Sequence, residues 1–138
     1  MLTSAHREML NAVFERILPS DDGAGAREAD VMSYFDWFIA QAESKAQQSR
    51  MEEGLDLLNS LALSTWHKPF VRCMSHEQDE TLKQMESIPH RSARRFFQTL
   101  VYISLAGFLC HPRYGGNRGC VGWNYLGFEQ RLPERQHG

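Results

Sequence analysis

Apolar side chains recur at three- and four-residue spacing along most of this chain, the period of an amphipathic helix. Leu2, Met9, Leu10, Val13, Phe14, Ile17 and Leu18 trace one stripe, with His6, Arg7, Glu8, Glu15 and Arg16 on the other side. The spacing predicts a helix from about Thr3 to Leu18, opened by the hydroxyl of Thr3 or Ser4 and ended by Pro19. Pro19 to Glu28, PSDDGAGARE, then reads as a turn-rich connection. A second helix is expected from near Asp30, with Val31, Tyr34, Phe35, Phe38 and Ile39 on one face and Trp37 on the flank. The polar stretch Gln41 to Arg50 carries no apolar stripe, so a break is expected there. The pattern resumes through Met51, Leu55, Leu58 and Ala62 and ends near Trp66, with Gly54 weakening its opening turn.

Ser75 followed at the third position by Gln78 has the form of a capping box, which predicts a short helix through Leu82 and Met85 to about Ile88. The last helix is expected from Pro89 or Ser92 to Cys110. From Phe96 onward its polar positions are only Gln98, Thr99, Tyr102 and Ser104. A helix so short of wet residues is either central to a bundle or covered on its outer side by another protein. Its apolar stretch, Phe96 to Leu109, falls short of the ~20 residues a membrane span needs. These elements define an all-α fold: one domain over residues 1–138, a small bundle of about five helices, then an ordered loop and a polar tail at 129–138.

That loop, His111 to Phe128, reads HPRYGGNRGCVGWNYLGF. Gly115, Gly116, Gly119 and Gly122 permit positive φ or close backbone approach, while Tyr114, Trp123, Tyr125 and Phe128 supply rigid surface to bury. A disordered linker would lack that aromatic load. An ordered recognition loop is the reading that fits both.

Composition narrows the chemistry. The chain has 138 residues, 42% hydrophobic, with 17 acidic against 15 basic side chains and a formal charge of -2. That balance offers no general attraction to nucleic acid. Six histidines are present, but none share the tight spacing of metal ligands. Asp21 and Asp22 beside Gly23 and Gly25 lack the ligand spacing of a calcium loop. Cys110 next to His111 has no orienting acid, and adjacent residues at a helix end do not usually face one another. The glycine-rich loop follows a helix rather than a strand and lacks the nucleotide-binding fingerprints. Three cysteines cannot all pair within the chain; Cys110 and Cys120 either close a disulfide in an exported protein or stand as interface thiols.

The loop resembles the C-terminal signature of the gluconate 2-dehydrogenase subunit 3 family, of the form DPxYGGNxxxxGWxxxGY or GF. The segment LPSDDGAGAREADVMSYFD is similar to that family's N-terminal pattern, with Pro19, Asp21 and Asp22 at matching places. His111 departs from the family's usual Asp, replacing a fixed acceptor with a group that donates or accepts. The resemblance implies a non-catalytic small subunit with no cofactor of its own. It would stabilise and mature a large FAD-dependent subunit of the glucose-methanol-choline type, in a sugar or glucoside dehydrogenase, with a cytochrome c subunit as electron acceptor in some members.

By the same resemblance Tyr114, Gly115, Gly116, Asn117, Gly122 and Trp123 are structural or partner-interface residues, with Tyr125 beside them. Asn117 would organise the loop and Trp123 would plug the core or the interface. The N-terminus has no signal peptide pattern. The resemblance therefore implies a periplasmic protein carried by a partner's signal, whereas the missing signal taken alone implies a cytoplasmic one. Two other readings compete: an assembly chaperone that leaves the finished enzyme, and an independent metal- or ligand-binding helical protein using His67, His90 or His111.

Overall fold

The computed structural model describes residues 2–20, 23–41 and 45–126. Asp21 and Asp22, Phe128 and the tail at 129–138 lie outside the described residues. Among the described residues every regular element is helical: α1 Ser4–Ile17, α2 Ala26–Ala29, α3 Val31–Gln41, α4 Lys45–Trp66, α5 Ser75–Ser87, α6 Arg91–Leu109 and α7 Val121–Leu126. Short 3-10 turns fall at Phe70–Arg72, Pro112–Tyr114 and Arg118–Cys120. The all-α architecture expected from the periodicity is what the structure has.

The α1 start follows from its cap. The Thr3 hydroxyl accepts from the His6 amide at 3.1 Å, and His6 Nδ1 accepts the Thr3 amide at 3.2 Å, so two donors without helical partners are satisfied reciprocally. His6 Nε2 then reaches Asp56 on α4 at 3.0 Å. Met9, Leu10, Val13 and Phe14 are the buried face of this helix.

The expected break within Gln41 to Arg50 falls at its start: α3 ends at Gln41 and α4 begins at Lys45, so the helix-compatible residues 45–50 form the first turns of α4. Two expectations are corrected. The box at α5 is shifted by one residue. Glu77, not Gln78, accepts the amide of the capping residue Met74 at 2.8 Å. Gln78 is buried and donates to the Phe70 carbonyl at 2.9 Å, which removes it from the cap. The connection after α1 contains α2, whose capping amide at Gly25 bonds Glu28 at 3.0 Å.

The core lies where α6 meets the other helices. Phe96, Leu100, Ile103 and Phe108 on α6 pack with Leu10, Phe14, Phe35, Leu55, Leu58, Phe70 and Met85 in one buried cluster. Polar groups inside it are paired: Ser104 donates to the Leu100 carbonyl at 2.8 Å, Asn59 accepts the Phe70 amide at 2.8 Å, and the Trp66 indole donates to Thr81 at 3.0 Å. Arg7 to Asp36 and Arg16 to Asp79 tie α1 to α3 and α5 from outside. Gly107 lets α6 lie close on α3, since a Cβ there would sit 3.1 Å from Val31 and 3.2 Å from Tyr34.

Candidate functional site

Helix α6 is central, and it is also uncovered along part of its surface. Its buried side is Ala93, Phe96, Leu100, Ile103, Ser104, Gly107 and Phe108. Tyr102, Leu105 and Leu109 form a second stripe, exposed by 58%, 47% and 36%. The helix is thus central to the bundle on one side and leaves an apolar stripe exposed on the other.

Beyond α6 the chain folds back over the helix end. His111 Nδ1 accepts the Arg113 amide at 3.2 Å and so opens the 3-10 turn Pro112–Tyr114. Gly115 then takes φ 102, and a Cβ on it would press on the Ser33 carbonyl of α3. Gly116 lies against the Gly107 carbonyl so closely that a Cβ would overlap it. This contact is what lets Asn117 enter the interior.

Asn117 is 0% exposed and left-handed, with φ 47, a conformation that Asn tolerates better than most side chains. Its amide donates to the Gly107 carbonyl at 2.7 Å, and its Nδ2 donates to the Cys110 carbonyl at 2.8 Å. Its Oδ1 accepts the Gly122 amide at 2.7 Å. One side chain thus satisfies a terminal carbonyl of α6 and a starting amide of α7. Gly122 passes against the Phe108 carbonyl, leaving no room for a Cβ.

The folded loop sets its aromatics beside the exposed stripe of α6. Tyr114 packs tilted against Trp37 of α3 with ring centroids 4.8 Å apart, and the Arg113 guanidinium lies 5.0 Å from the Tyr114 ring. Trp37 also contacts Tyr34, whose phenol is pushed up to about 12 by burial and then by the neighbouring Tyr102 hydroxyl. Trp123 donates its indole N–H to the Leu109 carbonyl at 2.8 Å and meets His111 edge-on at 5.9 Å. Trp123 is partly exposed rather than sealed in the core. Tyr125 is 65% exposed and leans edge-on against Phe108.

A shallow groove with Trp37, Tyr102, Leu105, Leu109, His111 and Tyr114 on its walls runs along this face. Arg118 of the loop pairs with Asp30, whose carboxylate also accepts the Ser33 amide at 3.4 Å and the Ser33 hydroxyl at 2.6 Å at the start of α3, so the loop is tied to that helix end. Tyr114, Gly115, Gly116, Asn117, Gly122 and Trp123 are brought together as one unit. The shortage of wet residues on α6 signals an apolar outer side, and the spacing of 102, 105 and 109 locates it, but its junction with Trp37 has no signal in the sequence.

Cys110 and Cys120 are free thiols, half-buried and not bonded to each other, and Cys73 is buried. Burial pushes the Cys110 and Cys73 thiols up, away from the thiolate a nucleophile needs. Among the described residues no three His, Cys, Asp or Glu side chains are placed to hold a metal ion. His90 and His111 each accept a backbone amide at a helix or turn start. At His67 it is the backbone that closes α4, left-handed at φ 60 with its amide on the Leu63 carbonyl. Among the described residues no helix is long and apolar enough to cross a membrane.

Compared with known families, residues 4–129 match the model described as gluconate 2-dehydrogenase subunit 3. No curated protein and no solved structure matches the chain.

Proposed function

The chain belongs to the gluconate 2-dehydrogenase subunit 3 family and is an accessory subunit of an oxidoreductase complex; on that premise we propose that its Trp37 to Tyr114 face seats a large FAD-dependent partner of the glucose-methanol-choline type. Oxidation of the sugar or glucoside, and the flavin that performs it, belong to the partner. This chain stabilises and matures that subunit, and a cytochrome c subunit takes the electrons where the complex has one.

The observation that carries this reading is the uncovered apolar stripe of Tyr102, Leu105 and Leu109 beside Trp37 and Tyr114. Aromatic anchors of this kind, rigid and cheap in entropy, dominate protein interfaces. Gly115, Gly116, Asn117 and Gly122 act behind that face, holding Tyr114, Trp123 and Tyr125 at their places on it. Cys110 and Cys120 serve as half-buried thiols of the same region.

Co-expression of the full chain with its flavoprotein partner is the test. The expected result is a one-to-one complex that stays together through size exclusion and contains FAD, with the yield of soluble flavoprotein falling when the small chain is omitted. A small chain that elutes alone while the flavoprotein folds and loads FAD without it would overturn the reading. A yield that depends on the chain, with no chain in the final enzyme, would make it a departing chaperone instead.

A further inference from the structure

A second concavity lies at the other end of α6, away from the aromatic face. It runs between α4 and the first turns of α6 and encloses about 480 Å³, inside the range of about 300–1,000 Å³ that small-molecule sites occupy. Met51, Ala93 and Phe96 are its buried floor, and Leu57 and Ile88 are its partly exposed walls. Gly54 shapes it. A Cβ at this mid-helix position would overlap the Phe96 ring, so a residue unfavourable in a helix lets the ring lie flush on the α4 backbone.

The rim is cationic. Arg50 and Arg95 flank the opening with His90, against a single lining carboxylate, Glu53. Arg50 donates to Gln47 at 3.1 Å. Among the described residues no carboxylate is ion-paired with Arg50 or Arg95, nor with Arg91 and Arg94 on the same turns of α6. An apolar floor with unneutralised guanidinium groups at its mouth matches a molecule that is apolar along its length and anionic at one end.

We propose that the α4–α6 groove binds a single-chain amphiphile with an anionic head, the chain lying on Phe96 and Met51 and the head held by Arg50 and Arg95. The shared head chemistry is a carboxylate or a phosphate monoester. This inference stands apart from the proposed docking face, since it concerns different residues at the opposite end of α6.

The experiment titrates the full chain, alone and in complex with its flavoprotein, with dodecanoate, dodecyl phosphate and neutral dodecyl maltoside below their micelle concentrations. Calorimetry or native mass spectrometry reads the binding. Expected are one anionic molecule per chain, at least tenfold weaker binding of the maltoside, and at least a tenfold loss for the double variant Arg50→Gln, Arg95→Gln. Both arginines have exposed side chains, so the variant's thermal midpoint without ligand should be unchanged. Tighter binding of the phosphate would point to a phospholipid-derived head, and of the carboxylate to a fatty acid. Absence of binding, equal binding of all three probes, or an unaffected double variant would each overturn the proposal. So would binding to the free chain that disappears in the complex, which would assign the groove to the protein partner.

Discussion

The side-chain amide of Asn117 donates to the main-chain carbonyl of Cys110 at 2.8 Å, from a position with no solvent exposure. Because the same side chain accepts the Gly122 amide at 2.7 Å, the end of α6 and the start of α7 are joined through one residue. Asn117→Ala strands a part-buried carbonyl and a buried amide, and a stranded buried group costs about 1–3 kcal/mol. A loss of about 2–4 kcal/mol in denaturant unfolding is expected. Asn117→Asp is the sharper variant, since it keeps an acceptor for Gly122 but opposes the Cys110 carbonyl with oxygen. It should be as damaging at neutral pH and should recover partly in acid, where the carboxyl regains a donor.

Two loop glycines separate crowding from backbone strain. At Gly119, φ is 62 and nothing lies within 4 Å of a Cβ, so Gly119→Ala should cost only the left-handed conformation, about 1–2 kcal/mol. At Gly122 a Cβ would run into the Phe108 carbonyl, and Gly122→Ala should cost more than Gly119→Ala because α7 must move off α6. Equal unfolding midpoints for the two variants would show that α7 does not pack on α6 as described.

The exposed stripe separates docking from folding. Leu105→Arg and Tyr102→Ala change side chains exposed by 47% and 58%. Each should alter unfolding free energy by less than about 1 kcal/mol, as surface substitutions usually do. Each should also weaken flavoprotein binding at least tenfold, or about 1.4 kcal/mol, if it sits among the interface anchors. Unchanged affinity by surface plasmon resonance for both variants would move the interface elsewhere.

The long helices were legible because burial imposes a period, and α1, α3, α5 and α6 keep it over several turns. Helices α2 and α7 were not, since Ala26–Ala29 and Val121–Leu126 are too short to show one. Local caps hold their starts: the Glu28 carboxylate on the Gly25 amide for α2, and Asn117 Oδ1 on the Gly122 amide for α7. The α5 cap shows the limit of motif reading. Ser75/Gln78 and Met74/Glu77 are one residue apart, and the demand of the Phe70 carbonyl for the Gln78 amide decides between them. At the site, the glycine and aromatic composition marked the loop as ordered. That Asn117 is its buried joint, and that Trp123 stays partly exposed while Trp37 completes the face, follows from distances no spacing rule contains.

Glu77 supplies the pH test. Its carboxylate accepts the Lys68 ammonium at 2.7 Å and the Met74 amide at 2.8 Å. These hold it below the usual carboxylate range, the Lys68 hydrogen bond first and the Met74 amide second. A carboxylate depressed in the fold is protonated first in the unfolded chain, so its stabilising contribution is present above the unfolded value, about 4.3 for Glu. It is lost as pH falls through the lower folded value. Glu77→Gln keeps an acceptor for the Met74 amide but removes the charge facing Lys68. The thermal midpoint of the wild type should therefore exceed that of Glu77→Gln at neutral pH, and the gap should close as pH falls from about 5 to about 3. Subtracting the variant removes the contribution of other carboxylates, Glu28 among them, whose value is also lowered. A gap that stays constant across this range would mean that the start of α5 depends on the shape of the Glu77 side chain and not on its charge.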